Sequence, residues 1–392
     1  MSWPPPRRLE SVTIYTVDRR AHERGAGVAQ TLALIGTRKG LFTARSRDDR
    51  RTWELDPIHF PNMEVYAVAI DTRRSTPRIL AGVGMGHFGF ALHHSDDLAK
   101  TWSEPEQPAL EFPKDTDTAL VRAWHLRPAG PDEPDVVYAG VEPHAMFRSD
   151  DGGISFSLVR GLFDHPHRKD WQPGGGGACL HTILVHPDDP KRLLVAMSAA
   201  GVYRSSDGGA TWEASNRGIA VPHSPEETRF PEFGQCVHKV AMHPDKPERL
   251  FAQNHFGVYR SENGGDSWDV IEDGLPSNFG FPIAVHPHKP DVVYNVPLEA
   301  DGNRVPPDTR FRVYRSEDAG GSWHPLTEGL PEEPYYAAVL RDAMSTDGAE
   351  RAGVYVGTRL GDVFASRDEG ESWSTIASHL PDVLTVRAAV LT

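Results

Sequence analysis

Apolar residues in this chain come in short runs rather than long stripes. Runs such as TLALIGT (31–37), VVYAG (136–140), LLVAM (193–197), LFAQN (250–254) and VVYNV (292–296) are each strand-sized. They are bounded by Gly, Pro, Asp and His-Pro punctuation. Alternating stretches precede several of them and end in His-Pro, as in Ile183-Leu-Val-His-Pro187, Val240-Ala-Met-His-Pro244 and Ile283-Ala-Val-His-Pro287. Many short elements joined by turns fit this pattern better than a few long helices, so it predicts short strands.

The turns themselves repeat. The octet Ser-x-Asp-x-Gly-x-Thr/Ser-Trp stands intact at Ser205–Trp212, Ser316–Trp323 and Ser366–Trp373. Variants occupy Ser46–Trp53, Ser95–Trp102, Ser149–Phe156 and Ser261–Trp268, with Arg50 and Ala99 for the Gly and Asn263 for the Asp. Successive starts lie 49, 54, 56, 56, 55 and 50 residues apart. A fixed period of that length marks a repeat architecture, and four short strands per unit make a propeller blade. Seven units use nearly the whole chain, predicting an all-β seven-bladed β-propeller over residues 29–392. Unit one lacks an innermost strand, which VLTVRAAVL (383–391) supplies from the other end. The two ends then share a blade and leave no open sheet edge. Residues 1–28 fall outside the repeat and read as a tail or covering segment.

The octets resemble the Asp-box, or bacterial neuraminidase repeat, over roughly residues 30–391. In that superfamily the box is the hairpin between a blade's third and fourth strands. The resemblance implies that Asp151, Asp207, Asp318 and Asp368 accept backbone N–H bonds, that the glycines relieve the turn, and that the Trp packs between blades. The box carboxylates are therefore structural. Superfamily members include sialidases, xyloglucan-active glycosidases, sortilin-type receptors and a photosystem II assembly factor, so the fold alone chooses no function. A sialidase fits poorly. It has six blades and an Arg-Ile-Pro motif absent here, although Arg122, Arg387 and Tyr336 imitate parts of its site.

Composition narrows the partners. Gly and Pro together make about 18% of the chain, as a turn-rich fold requires. The net charge of −14 argues against a nucleic-acid backbone or an anionic membrane. No apolar run approaches the ~20 residues that cross a bilayer. The first residues lack the h-region of a signal peptide, and two cysteines make no disulfide framework, so a reducing cytoplasm is the expected compartment.

Candidate chemistry gathers on the end of the propeller opposite the octets. Aligning the innermost strands on His-Pro and stepping back five residues gives Tyr66, Arg122, His181, His238, Phe281, Tyr336 and Val386. Five of these seven are polar or aromatic-polar at a position that packing alone would make apolar. Neighbouring turns add His87, Glu142, His144 and His255. The long connection 157–178 adds Asp170 and Trp171, and that at 213–235 is the other long one. The Gly174–Gly177 run of the first connection precedes a strand, not a helix, so it is no phosphate loop. His181, His238, Glu142 and Tyr336 are the catalytic candidates. Arg122, Tyr66, His144, His255, Asp170 and Trp171 are the ligand-binding ones.

Both cysteines sit two residues before a histidine of that register. In a strand, i and i+2 share a face, so Cys179/His181 and Cys236/His238 could present thiolate and imidazole together to zinc, copper or iron. A blade duplication would copy the same spacing without a site, leaving the cysteines in the core. Two functions stay open. One is a hydrolase or lyase, glycosidase-like or metal-assisted, or a binder of a small carbohydrate-like ligand. The other is a non-catalytic propeller with a protein partner. A concave polar pocket supports the first and a broad exposed face the second.

Overall fold

The computed structural model describes residues 30–391 except Met85, His87, Phe88, Pro105 and His223. The expected 1–28 tail and the His87 and His223 side chains lie outside the described residues.

Seven antiparallel sheets follow one another around an axis, six with four strands and one with three. In the three-stranded blade two, the fourth strand shrinks to a single bridge between His94 and Ser103. The sole α-helix among the described residues is one turn, Arg160–Phe163, and none is long and apolar enough to cross a membrane. Blade one is completed as the sequence predicts. Strand Val383–Leu391 pairs with Gln30–Thr37 from Gln30↔Leu391 to Thr37↔Val383.

A second clasp lies at the same seam. Arg50 stands in the first octet where others carry Gly. Its buried guanidinium meets the buried Asp347 carboxylate of blade seven at 3.1 Å and donates to the Arg351 carbonyl. The departure from glycine in this octet thus serves closure.

All seven octets share one turn geometry. The fourth and fifth positions both have positive φ, whether Gly208 and Gly209 (77° and 93°) or Asp49 and Arg50 (57° and 62°). Two consecutive left-handed residues give the primed turn that suits the twist of a hairpin. The polar positions hold it. Asp207 accepts from the Thr211 amide at 2.9 Å and hydroxyl at 2.6 Å, while Ser205 Oγ accepts from the Gly209 amide. Trp268 and Trp323 reach across to the preceding blade, donating to the carbonyls of Ser215 and Ile271. Cores between blades are filled by strand residues such as Tyr138, Tyr203, Tyr294 and Tyr355, all fully buried. Each phenol finds a polar partner, as a buried tyrosine requires.

The hairpins carry a pH signature. Hydrogen bonds from the Thr211 hydroxyl and amide hold the Asp207 carboxyl down to about 2, and Asp48 and Asp97 are held to about 2 in the same way. A depressed folded-state pKa stabilises above the unfolded value near 4, and that contribution is lost as pH falls from about 4 to about 2. Blade five shows the uncharged solution: Asn263 keeps the amide bond and donates to Ser267 Oγ. We therefore expect Asp207→Asn to fold normally at neutral pH and to show a shallower fall of Tm between pH 4 and 2. An unchanged acid limb in thermal melts would contradict this assignment.

Candidate functional site

Five of the innermost strands, those of blades two to six, are broken by a bulge near their start. Register skips occur between Val65 and Ala67, Ala123 and His125, Leu180 and Thr182, Val237 and Lys239, and Gly280 and Ile283. A bulge re-aims the extra side chain. The bulged residues are Tyr66, Trp124, His181, His238 and Phe281, and four of the five line one axial cavity. The cavity measures about 440 Å³ and opens on the end opposite the octets.

Three register positions need correction. In blade one Val386 is fully buried, and the bulged residue that lines the cavity is Leu384. In blade three the bulged residue is Trp124, and Arg122 lies two residues earlier. Arg122 still reaches the cavity, stacked 4.6 Å over the Tyr66 ring and paired to Glu64 at 3.2 Å. In blade seven the alignment fails by six residues. Asp347, not Arg341, takes the His-Pro place, because its amide bonds Gly353 O as His186 and His286 bond Arg192 and Val292. Five residues earlier stands Asp342, which does line the cavity. Tyr336 is 62% exposed and does not. An irregular stretch before Met344–Thr346 absorbs the offset.

The other candidates divide. Tyr66, Arg122, Cys236, His238 and His255 line the cavity. Glu142 stands at its rim, accepting from Trp124 Nε1 at 2.9 Å. His144 is buried behind the wall with Nε2 on the Ser198 carbonyl, and burial pulls its pKa down to about 4. Trp171 is a core residue donating to the Tyr203 hydroxyl, and Asp170 is exposed beside it. The four-residue metal set is not assembled. His181 is fully buried, with Nε2 on the Val237 carbonyl at 2.9 Å and Nδ1 on Thr182 Oγ1 at 3.0 Å. Cys179 is fully buried, turned to Ser198 Oγ and the Arg341 guanidinium, each at 3.1 Å. In their place Cys236, His238 and His255 bring three ligand atoms within 4.8 Å of one another.

Arg122 apart, the arginines of the cavity are what the register search missed. Arg38, Arg304 and Arg359 reach the cavity from second-to-third-strand turns, Arg341 from before the short innermost strand of blade seven, and Arg122 from blade three. Those turns were the ones that yielded Glu142, His144 and His255; reading them in blades one, six and seven would have found three of the arginines. Carboxylates hold most of the set. Arg38 pairs with Glu64 and Asp382, Arg359 with Asp382, Arg304 with Asp301, and Arg122 with Glu64 and Glu142. Arg341 has no carboxylate partner among the described residues. It stands 5.3 Å over the Trp124 ring and donates to Cys179 Sγ and Ser198 Oγ. Five arginines against Glu64, Asp301 and Asp342 make the lining net positive within a strongly acidic chain.

The glycine run forms the cavity's lip. Gly174 and Gly177 close a tight turn. Gly177 has φ of +115°, and a Cβ there would meet the Glu142 carboxylate at 2.3 Å. Beside it, Gly176 lies close over Arg341 and Trp124. The run is a bare backbone edge above the aromatic floor.

Beneath the floor is a buried charge knot. Lys239 Nζ meets Asp342 at 2.7 Å, and Arg387 pairs with the same carboxylate. Burial, partly offset by Asp342, brings Lys239 down to about 8. For Asp342, burial is outweighed by Lys239 and Arg387, and the carboxyl is held well below its usual range. Burial, reinforced by Arg341, keeps His238 well below its ordinary value, so its imidazole is neutral at pH 7. A separate recess of about 260 Å³ lies at the octet end between blades four and five, floored by Leu184, Met242 and Leu250.

The fold and cavity define a seven-bladed propeller with a cationic, aromatic-floored axial site. No family model matches the chain. It is similar to a xyloglucanase of Hypocrea jecorina, 25% identical over 356 residues that cover 81% of this chain and 39% of that protein. It is also similar to an oligoxyloglucan-reducing end-specific xyloglucanase of Emericella nidulans, 25% identical over 216 residues, covering 51% and 24%. The chain thus spans about two fifths, or less, of the length of these curated relatives. The solved structures that share the fold include the following two. One is a provisionally assigned 6-phosphogluconolactonase of Bacteroides uniformis (TM-score 0.54, 11% identity, 92% of this chain and 100% of that one). The other is YCF48 of Cyanidioschyzon merolae (TM-score 0.50, 13% identity, 80% and 84%). At these identities the likeness is one of fold alone.

Proposed function

We propose that the protein binds and cleaves an acidic saccharide in its axial cavity. The observation that carries this reading is Arg341, a half-buried guanidinium above Trp124 without a carboxylate partner among the described residues. A planar fork of donors in a partly desolvated site suits a carboxylate. The indole and phenol faces of Trp124 and Tyr66 suit the apolar face of a sugar ring. The xyloglucanase relatives favour a carbohydrate and bond cleavage, and the arginines favour one that carries negative charge. A glycosidase would present two opposed carboxyl groups. Here Glu64, Glu142, Asp301 and Asp342 are all engaged by arginine or lysine, which favours a mechanism that does not rest on such a pair. A protein-binding role would call for a broad exposed face, whereas the convergent charge described here lies in a concave site.

The test is a thermal-shift and product-mass comparison of uronate-containing oligosaccharides with neutral xyloglucan oligosaccharides. Uronate oligomers are expected to raise Tm by several degrees and to shorten, because a ligand at 100 times Kd adds about 2.7 kcal/mol. A response confined to the neutral oligomers would overturn the reading.

A further inference from the structure

We propose that Cys236, His238 and His255 form a three-ligand divalent metal site, zinc by its ligand types, whose open position faces the axial cavity. For the ligand at that open position the proposal rests on the acidic-saccharide reading; for the metal it does not.

The three residues belong to one blade and are fixed by its backbone. Cys236 and His238 flank the start of the innermost strand, Val237–His243. His255 follows the second strand, Lys246–Asn254, and its amide donates to the Cys236 carbonyl at 2.8 Å. That bond sets the turn against the strand start, so the spacing of the three does not depend on a mobile loop. The bulge at His238 then brings its ring to the same side as the thiol, with Nε2 3.8 Å from Cys236 Sγ. Two ligands of one tetrahedral ion, bound at 2.0–2.3 Å, stand about 3.5 Å apart. The observed pair is close to that, and the whole set lies within 4.8 Å. Side-chain rotations of about an ångström would complete the triangle.

The outer partners are those a metal site needs. His238 donates from Nδ1 to the Gly280 carbonyl at 2.5 Å, which fixes the tautomer with its Nε2 lone pair directed to the thiol. Ligating histidines ordinarily make such a bond with the other nitrogen. The Asp301 carboxylate lies 3.6 Å from His255 Nε2. With a Cys236 thiolate it supplies two negative charges, offsetting the ion against Arg304 and Arg341. A thiolate and two imidazoles select zinc-like ions over calcium or magnesium, which take oxygen. Three protein ligands with a cavity on the fourth side match an open site rather than a closed structural one. In that position the ion would take water or the ligand's carboxylate, beside Arg341.

The experiment uses the full chain and the metal alone. Chelator-treated protein is titrated with cobalt(II), then with zinc(II) in competition. One equivalent of cobalt is expected, with a thiolate-to-cobalt charge-transfer band that zinc displaces. Cys236→Ser should remove the band, and His255→Ala should weaken binding more than about 100-fold. Cys179→Ser should leave both unchanged, separating this set from the other Cys-x-His pair. Near-ultraviolet circular dichroism of each variant establishes that it is folded. No stoichiometric binding by the parent chain, or a band that survives Cys236→Ser or is lost in a folded Cys179→Ser, would overturn the site. Saccharide binding by the chelated protein is measured in parallel. If saccharide binds and cobalt does not, the metal proposal alone fails; if cobalt binds and no uronate oligomer does, the ligand reading alone fails.

Discussion

A chain from which residues 383–391 are deleted is expected not to reach a soluble, cooperative fold. That strand pairs with Gln30–Thr37 along its whole length and buries Val383, Leu384 and Val386 almost completely. Full burial of an aliphatic side chain stabilises by about 1.5–3 kcal/mol, so these three account for roughly 5–9 kcal/mol. The whole net stability of a domain is about 5–15 kcal/mol. Deletion also strips the inner edge of blade one and removes Arg387 from buried Asp342, leaving Lys239 as that carboxylate's remaining ion-pair partner. An exposed edge of this kind pairs with other chains. The expected readout is aggregation on expression, or a non-cooperative melt far below that of the parent. Adding the nine-residue strand as a separate peptide should recover part of the lost stability. A truncated chain that melts cooperatively within a few degrees of the parent would show that closure is not what holds the ring.

The second large effect is expected at Arg341. Arg341→Met keeps most of the stem volume over Trp124 and removes the guanidinium. Loss of a charge-assisted pair to an anionic ligand costs about 1.5–3 kcal/mol, roughly 10- to 150-fold in Kd for a uronate oligomer. Stability should hardly change, because the residue is half-buried and among the described residues hydrogen-bonds only Cys179 Sγ and Ser198 Oγ. Lysine is not a substitute here, since it lacks the planar fork. Calorimetric titration of parent, Arg341→Met and Arg341→Lys checks the order. Equal affinity across the three would detach the cavity's charge from recognition.

The ring was legible because each unit carries its own turn chemistry. Seven octets, spaced by one blade, declare hairpins that can fold only one way, and even Arg50 and Ala99 adopt the left-handed turn expected of the glycine they replace. The closing strand was legible for the same reason: unit one lacked an element that residues 383–391 possessed. The site was only half legible. Tyr66 and His238 could be placed because counting back from His-Pro survives in blades two, four, five and six. His255 came from a second-to-third-strand turn, and Arg122 reaches the cavity although the count in blade three stops two residues short of Trp124. The count fails in blade seven, where irregular backbone replaces part of the strand, so Tyr336 was placed inward and Asp342 was not.

The bulges were invisible to alternation, since an extra residue reverses the face of what precedes it. Cys179/His181 and Cys236/His238 have identical spacing yet different fates. The first pair is sealed into the seam between blades by Val237, Ser198 and Arg341. The second lines the cavity beside Phe281, although His238 too bonds a carbonyl of the next blade, that of Gly280. Spacing within one blade carries no record of what the next blade brings.

The most direct test is a crystal structure of the protein soaked with a uronate-containing disaccharide. The account predicts sugar density in the axial cavity, a ring against Trp124 or Tyr66, and the carboxylate within about 3 Å of the Arg341 guanidinium. Density only in the recess between blades four and five, or a sugar whose carboxylate points away from Arg341 into solvent, would contradict it.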